Sequence, residues 1–224
     1  MATYGLTMER DHLFLNLAGG KWLLDTGSPL SFGDDPRIEI AGVGFDIPRA
    51  CAGLDAETIS DLVGVPLQGL LGGDVLGRFD HFFDLSAATV TISEDVLAHE
   101  GAAVAMWGLD TSGVPYVAVR TMGHDLRLVF DTGSMMTYVP DQRVPRDRPA
   151  GTRQDFYPGV GRFQVETFLG DFRIGGQDFE LQCGALPPLL AMLIGYIGAD
   201  GVVGNAIMRD RVIGYFPRRS TLCL

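Results

Sequence analysis

The tetrapeptide Asp-Thr-Gly-Ser occurs twice in this chain, in LLDTGSPL at residues 23–30 and in LVFDTGSMMTYV at residues 128–139, each time straight after an apolar run. One copy is a polar turn closing a strand, because these residues bond their own backbone and tolerate tight φ/ψ. Two copies are different: at ordinary residue frequencies a given tetrapeptide recurs in a chain of this length roughly a few times in a thousand. The pair therefore points to a duplicated unit, and the flanking sequence follows it.

HLFLNLAGGKWLLDTGS and PYVAVRTMGHDLRLVFDTGS each read as two alternating apolar strands around a glycine turn, a β-hairpin whose second strand ends at the aspartate. Downstream, IEIAGVGFDIP matches FRIGGQDFELQ as a second hairpin, and GLLGGDVLGRFDHFFDLSAATVTI matches GVVGNAIMRDRVIGYFPRRSTLCL without a gap to the last residue. The chain thus reads as two copies of an all-β unit, with a short helical turn after each apolar-apolar-Gly element, Leu70-Leu71-Gly72 and Val202-Val203-Gly204. Between its motif and its second hairpin the second copy is longer. The extra residues follow a polar loop, PDQRVPRDRPAG, and read as a third hairpin, TRQDFYPGVGRFQVETFLG, which the first copy has no room for. A further Asp-Thr in LDTSGVP lacks the apolar lead-in and is assigned to a linker over residues 94–112.

Bulk properties exclude several classes of function. With 46% hydrophobic residues and 30 glycines the chain is a packed, turn-rich globule. Its net charge of −11, with a single lysine at Lys21, leaves no basic stripe for a polyanion, so no nucleic-acid partner is expected. Cys51, Cys183 and Cys223 are too few and scattered for a disulfide framework or a zinc site, and the 4 histidines lack ligand spacing; neither metal nor cofactor is expected. MATYGLTMERDHLF has no basic region followed by an apolar stretch, so a cytoplasmic location is expected. The charge-free stretch Leu181 to Ala199 approaches membrane-spanning length, but its glycines and Pro187-Pro188 interrupt a helix; a covering loop or short helix is expected.

Two carboxylates brought together by a pseudo-two-fold axis cannot both ionise cheaply, so the pair holds one proton and is an acid and a base in one site. The ionised member can take a proton from a water while the other polarises a carbonyl, which hydrolyses an amide without a metal or a covalent intermediate. A glycine after each Asp-Thr lets the loops approach, and a buried threonine hydroxyl can bond the opposing loop. Ser28 and Ser134 are expected to bond the neighbouring carboxylates, favour their charged form and place best activity below neutral pH.

With both motifs and both apolar-apolar-Gly elements in hand, the chain resembles aspartic proteases of the pepsin and retropepsin superfamily, in a compact single-chain form. That resemblance implies an all-β, bilobal acid-protease fold: two pseudo-two-fold-related retropepsin-like β-barrel lobes with short helices, the N-terminal lobe at residues 1–93 and the C-terminal lobe at 113–224. It implies Asp25 and Asp131 as the catalytic dyad, Thr26 and Thr132 as interlocking threonines, Gly27 and Gly133 as their close-approach partners, and Ser28 and Ser134 in support. The family departure lies in the flap. Pepsin-like enzymes carry one on the N-terminal lobe and retropepsins carry two, whereas here a single flap hairpin is offered in the second copy at about 153–170, with Tyr157 as its aromatic and Gly159, Val160 and Gly161 as its tip. The activity implied is an aspartic endopeptidase acting on extended peptides held by strand-like hydrogen bonds, with apolar residues flanking the scissile bond, in a monomer. Met135, Met136, Tyr138 and the run from Leu189 to Ile197 are expected to make the cleft apolar. The alternatives are a catalytically inactive peptide-binding module that keeps the fold, and a self-processing or membrane-associated protease whose anchor lies outside this sequence.

Overall fold

The N-terminal segment alternates exposed with partly buried positions up to the buried Leu6, and Arg10-Asp11 turns it back on itself; both residues take left-handed backbone, φ 50° and 61°, as a two-residue hairpin turn requires. The outcome is β1 (Ala2–Glu9) paired with β2 (His12–Leu17), which turns again into β3 (Gly20–Leu24). These strands belong to a computed structural model that describes residues 1–17, 19–157 and 160–224.

The first copy continues through β4 (Phe32–Gly33), the hairpin β5 (Arg37–Ile40) and β6 (Val43–Asp46), and the short pair β7 (Ala50–Cys51) and β8 (Leu54–Asp55). Then come α1 (Ala56–Val63), β9 (Gly69–Leu71), α2 (Gly73–Leu76), β10 (Asp80–Asp84) and β11 (Thr89–Ser93). The second copy runs through β12 (Ala103–Trp107), β13 (Tyr116–Thr121), β14 (His124–Phe130), β15 (Thr137–Val139), β16 (Pro149–Tyr157), β17 (Gly161–Ile174) and β18 (Gln177–Ala185). It closes with α3 (Pro188–Tyr196), β19 (Gly201–Val203), a 3₁₀ turn at Asn205–Met208, β20 (Val212–Phe216) and β21 (Thr221–Cys223). The all-β class expected from the sequence is the one found, with only short helices.

The duplication is visible in the pairing. β3 runs parallel to β9, with Leu24 opposite Leu71, and β14 runs parallel to β19, with Phe130 opposite Val203. A parallel pair demands a crossover connection, and each crossover contains a helix, α1 in the first copy and α3 in the second. α1 is capped at its start by Asp55, which accepts the Thr58 N–H at 2.9 Å, and ends on Gly64 in left-handed backbone.

One antiparallel sheet joins the copies, in the order β1-β11-β10-β20-β21-β12. At its centre β10 of the first copy pairs with β20 of the second, His81 opposite Tyr215. This corrects the reading of residues 94–112 as a linker. Residues 103–107 form β12, whose Val104 and Met106 alternate inward and whose backbone pairs with both β21 and β13. The main core lies beneath this sheet and runs through both copies, with Trp22, Phe79, Phe83, Phe130, Phe172 and Tyr215 fully buried. A buried acid ties the copies further: Asp80 takes Arg218 at 2.9 Å and Arg219 at 2.8 Å, one guanidinium on each carboxylate oxygen. The charge-free segment after β18 forms the short helix α3, with Pro187-Pro188 at its start and Leu190 and Ile194 buried. No helix among the described residues is long and apolar enough to cross a membrane. Cys51, Cys183 and Cys223 are free thiols.

Candidate active site

Each Asp-Thr-Gly-Ser loop begins where a strand of the parallel pair ends. The Asp25 N–H donates to Leu71 O and the Asp131 N–H to Val203 O, both at 3.0 Å, so each aspartate is pinned by the apolar-apolar-Gly strand of its own copy. That is the physical reason the two sequence elements recur together. The loops then lock to one another. The Thr26 N–H donates to Thr132 Oγ1 at 3.1 Å and the Thr132 N–H to Thr26 Oγ1 at 3.0 Å; in return Thr26 Oγ1 donates to Phe130 O at 2.6 Å and Thr132 Oγ1 to Leu24 O at 2.8 Å. Both threonines are wholly buried. The glycines explain themselves by what a side chain would strike: a Cβ on Gly27 would lie 2.5 Å from Asp131 Cγ, and one on Gly133 2.8 Å from Asp25 Cγ.

This interlocking sets each carboxyl against the glycine of the other loop and leaves Asp25 under the charge of Asp131. Burial raises both above an ordinary aspartate, and Asp25 is raised well above it, next by the charge of Asp131. Their surroundings are unequal. Asp131 Oδ1 accepts the N–H groups of Gly133 at 2.8 Å and Ser134 at 3.1 Å, which favour its charged form. Asp25 Oδ1 is buried and accepts no hydrogen bond from the protein, and the lowering of Asp25 by the Ser28 and Gly27 backbone N–H groups is smaller than the raising by burial and by the Asp131 charge. One proton on the pair is therefore held better by Asp25, and the negative charge better by Asp131.

The serines do not do what the sequence suggested. Ser28 Oγ donates to Leu30 O and Ser134 Oγ to Met136 O, each at 2.9 Å, so both hydroxyls close their own loops. Ser134 supports Asp131 through its backbone N–H alone. With both hydroxyls turned to backbone carbonyls, they do not favour the charged aspartates and give no reason for an acidic optimum.

The third hairpin is present as β16 and β17, paired from Gly151 opposite Thr167 to Tyr157 opposite Gly161, with Gly161 in left-handed backbone at φ 82°. Gly159 lies outside the described residues; Val160 is at the turn, its N–H donating to Tyr157 O at 3.0 Å. The Tyr157 phenol is pushed up by burial and then by the charges of Asp131 and Asp25, and its ring packs against the cluster of Met136 and Tyr138. The hairpin crosses to the first copy. Phe156 packs on the cluster of Phe14, Phe32, Ile59 and Val63, Arg162 Nη2 donates to Asp61 O and to Leu62 O in the last turn of α1, and Arg153 pairs with Asp11 at 2.6 Å. Met136 and Tyr138 are buried and share one apolar cluster with Leu190 and Ile194 of α3; Met135, Tyr157 and Phe163 pack against that cluster.

Several polar groups of the site had no signal in the sequence. His12 Nδ1 donates to Gly133 O at 2.9 Å, so the ring carries its proton there and burial keeps it neutral. Asn205 donates to Asp11 O at 2.9 Å and Thr132 O at 3.2 Å, bracing the second loop against the β1-β2 turn. Tyr138 OH donates to Asp155 Oδ2, and Asp155 is raised by its burial in β16. No group of metal-ligating side chains is present among the described residues.

No protein-family model and no curated protein matches this chain. Among solved structures it is similar to the protease of simian foamy virus (mac) in solution, at 20% identity over 36% of this chain and 94% of that one, with a TM-score of 0.26.

Proposed function

We propose that the chain is an aspartic endopeptidase. The observation that carries the reading is the unequal carboxyl pair, Asp25 poised to hold a proton and Asp131 poised to hold the charge, fixed by reciprocal threonine bonds. A water between them loses a proton to Asp131 as its oxygen attacks the scissile carbonyl carbon, while Asp25 gives its proton to the carbonyl oxygen. The tetrahedral diol then collapses: the proton on Asp131 passes to the leaving nitrogen, the C–N bond breaks, and a diol proton returns to Asp25. No metal enters these steps. The substrate is an extended peptide beneath the β16-β17 hairpin, its backbone bonding strand-like to the flap, in a monomer whose two lobes supply one aspartate each. Tyr157, Val160 and Gly161 belong to the cover over that peptide.

The test is a mixed peptide library incubated from acid to neutral pH with wild type, Asp25→Asn and Asp131→Asn. Wild type is expected to cut and both variants to lose the activity. Because both carboxyls are raised, the limb of the pH-rate profile on which the shared proton is lost should lie well above the ordinary aspartate range. If wild type cuts nothing, or either variant cuts as well, the peptidase reading fails and binding without turnover takes its place.

A further inference from the structure

The two amide donors that hold the charge on Asp131 belong to successive peptide units, and each unit is hydrogen-bonded at its other end by a side chain. The Gly133 N–H shares its peptide with Thr132 O, which accepts from Asn205 Nδ2 at 3.2 Å. The Ser134 N–H shares its peptide with Gly133 O, which accepts from His12 Nδ1 at 2.9 Å. His12 and Asn205 are both buried. Hydrogen bonds in a chain polarise one another, so a donor on the carbonyl makes the N–H of the same peptide a better donor.

The corresponding positions of the first copy carry no donor. In β2, Phe14 lies opposite Leu23, two residues before Asp25; in β13, Tyr116 lies opposite Val129, two residues before Asp131. Val114 therefore stands where the first copy has His12. Asn205 follows Val202-Val203-Gly204, and Gly73 stands in its place after Leu70-Leu71-Gly72. A Cβ on Gly73 would lie 2.5 Å from Gly113 O, the counterpart of the Asp11 O that Asn205 meets at 2.9 Å, which bears out the match.

We infer that His12 and Asn205 are positioning residues of the dyad, which direct its negative charge to Asp131 by polarising the two peptides that donate to that carboxylate. This rests on the peptidase reading above and supplies a cause for the inequality on which that reading turns. The charges of Asp11, Asp131 and Asp155 act on the His12 ring, Arg153 and Arg209 are held by Asp11, and Arg10 and Arg162 line the same pocket as the ring. Around Asp131 the further titratable groups are Asp25, Asp155 and Tyr157. In acid the His12 ring itself gains a charge, so its donor is separated from its charge by comparing replacements that are all neutral.

The test titrates isotope-labelled aspartate carboxyls by NMR. In an Asp25→Asn background Asp131 titrates without its partner, and in Asp131→Asn Asp25 does. His12→Asn keeps an amide donor at the Nδ1 position; His12→Phe keeps a ring against Phe156 but no donor, and His12→Leu is a second replacement without one. Asp131 is expected to titrate about half a pH unit higher in His12→Phe and His12→Leu than in His12→Asn, because less donation reaches its charged form. Asn205→Gly, which installs the first copy's residue, is expected to raise it by a similar amount. Asp25 is expected to stay within about 0.2 unit across the same series. An Asp131 titration left unmoved by the loss of either donor, or an Asp25 titration that moves as far, overturns the proposal. Cleavage of the peptide library by the chain with both aspartates is scored separately. Carboxyl shifts without cleavage sink the peptidase reading alone, and cleavage with unmoved carboxyls sinks the relay alone.

Discussion

Replacing Thr26 by valine tests whether the interlocked loops hold the site together. Valine keeps the shape and loses the hydroxyl, which in the native loop donates to Phe130 O at 2.6 Å and accepts the Thr132 N–H at 3.0 Å. Both partners sit where Thr26 and Thr132 are wholly buried, so no water replaces the lost contacts. A buried polar group stripped of its partner costs about 1–3 kcal/mol, so two cost about 2–6 kcal/mol. Against a total stability of about 5–15 kcal/mol that is a large share, and at this chain length it lowers the melting temperature by about 2–4 °C per kcal/mol. Urea unfolding followed by tryptophan fluorescence reads it directly, because Trp22 is fully buried in the strand that leads into the loop. Thr26→Ser retains the hydroxyl and loses one methyl, and should stay within about 1.5 kcal/mol of wild type. If Thr26→Val costs less than about 1 kcal/mol, or Thr26→Ser costs as much as it does, the hydroxyls are not what joins the loops.

Gly27→Ala drives a methyl into the Asp131 carboxyl at 2.5 Å, and a displacement near 1 Å at a reacting group lowers turnover by about a hundredfold; peptide cleavage at unchanged substrate affinity measures it. Asp25→Asn should be more stable than wild type at neutral pH and lose that advantage in acid. Asp25 has a raised pKa in the folded chain, so its stabilising contribution is complete below the ordinary aspartate range and is lost as pH rises through the folded value, whereas asparagine carries no such loss; urea unfolding of both proteins across pH shows the crossing, and parallel curves would refute it. Arg162→Ala removes the donor from the flap to the carbonyls of Asp61 and Leu62, and the loss of a charged hydrogen bond at an exposed site should raise KM by about two- to tenfold with a smaller change in kcat.

Asp25, Asp131, their threonines and their glycines were legible in the sequence because a duplicated loop facing its own copy must repeat the residues that meet at the axis. The β16-β17 hairpin was legible for a simpler reason, since a Gly-rich turn between two alternating runs reads as a hairpin. The serines misled: a hydroxyl two residues from an open carbonyl closes its own loop before it reaches a carboxylate, and motif spacing does not distinguish the two. His12 and Asn205 lie in repeated elements, but their partners Gly133 and Asp11 are far away in the chain, and the Tyr138-Asp155 pair joins the second motif to a hairpin the first copy lacks, so the repeat does not reveal these contacts. β12 had the alternation of a strand, but its longer pairing is with β21 at the other end of the second copy and its local pairing with β13 takes in only Met106 and Trp107, so it read as a linker.

The sheet that joins the copies also sets when the chain becomes a finished molecule. Its central pairing places His81 opposite Tyr215, and its outer pairing places Ala103 opposite Cys223, so both wait on residues 212–223 of the second copy. Contacts so distant in sequence form late, after local hairpins have collapsed. Both aspartates are synthesised well before the strands that hold their lobes in register, and a nascent chain therefore carries both halves of the dyad without the frame that makes them a pair. The two loops acquire their common frame only when β20 and β21 dock.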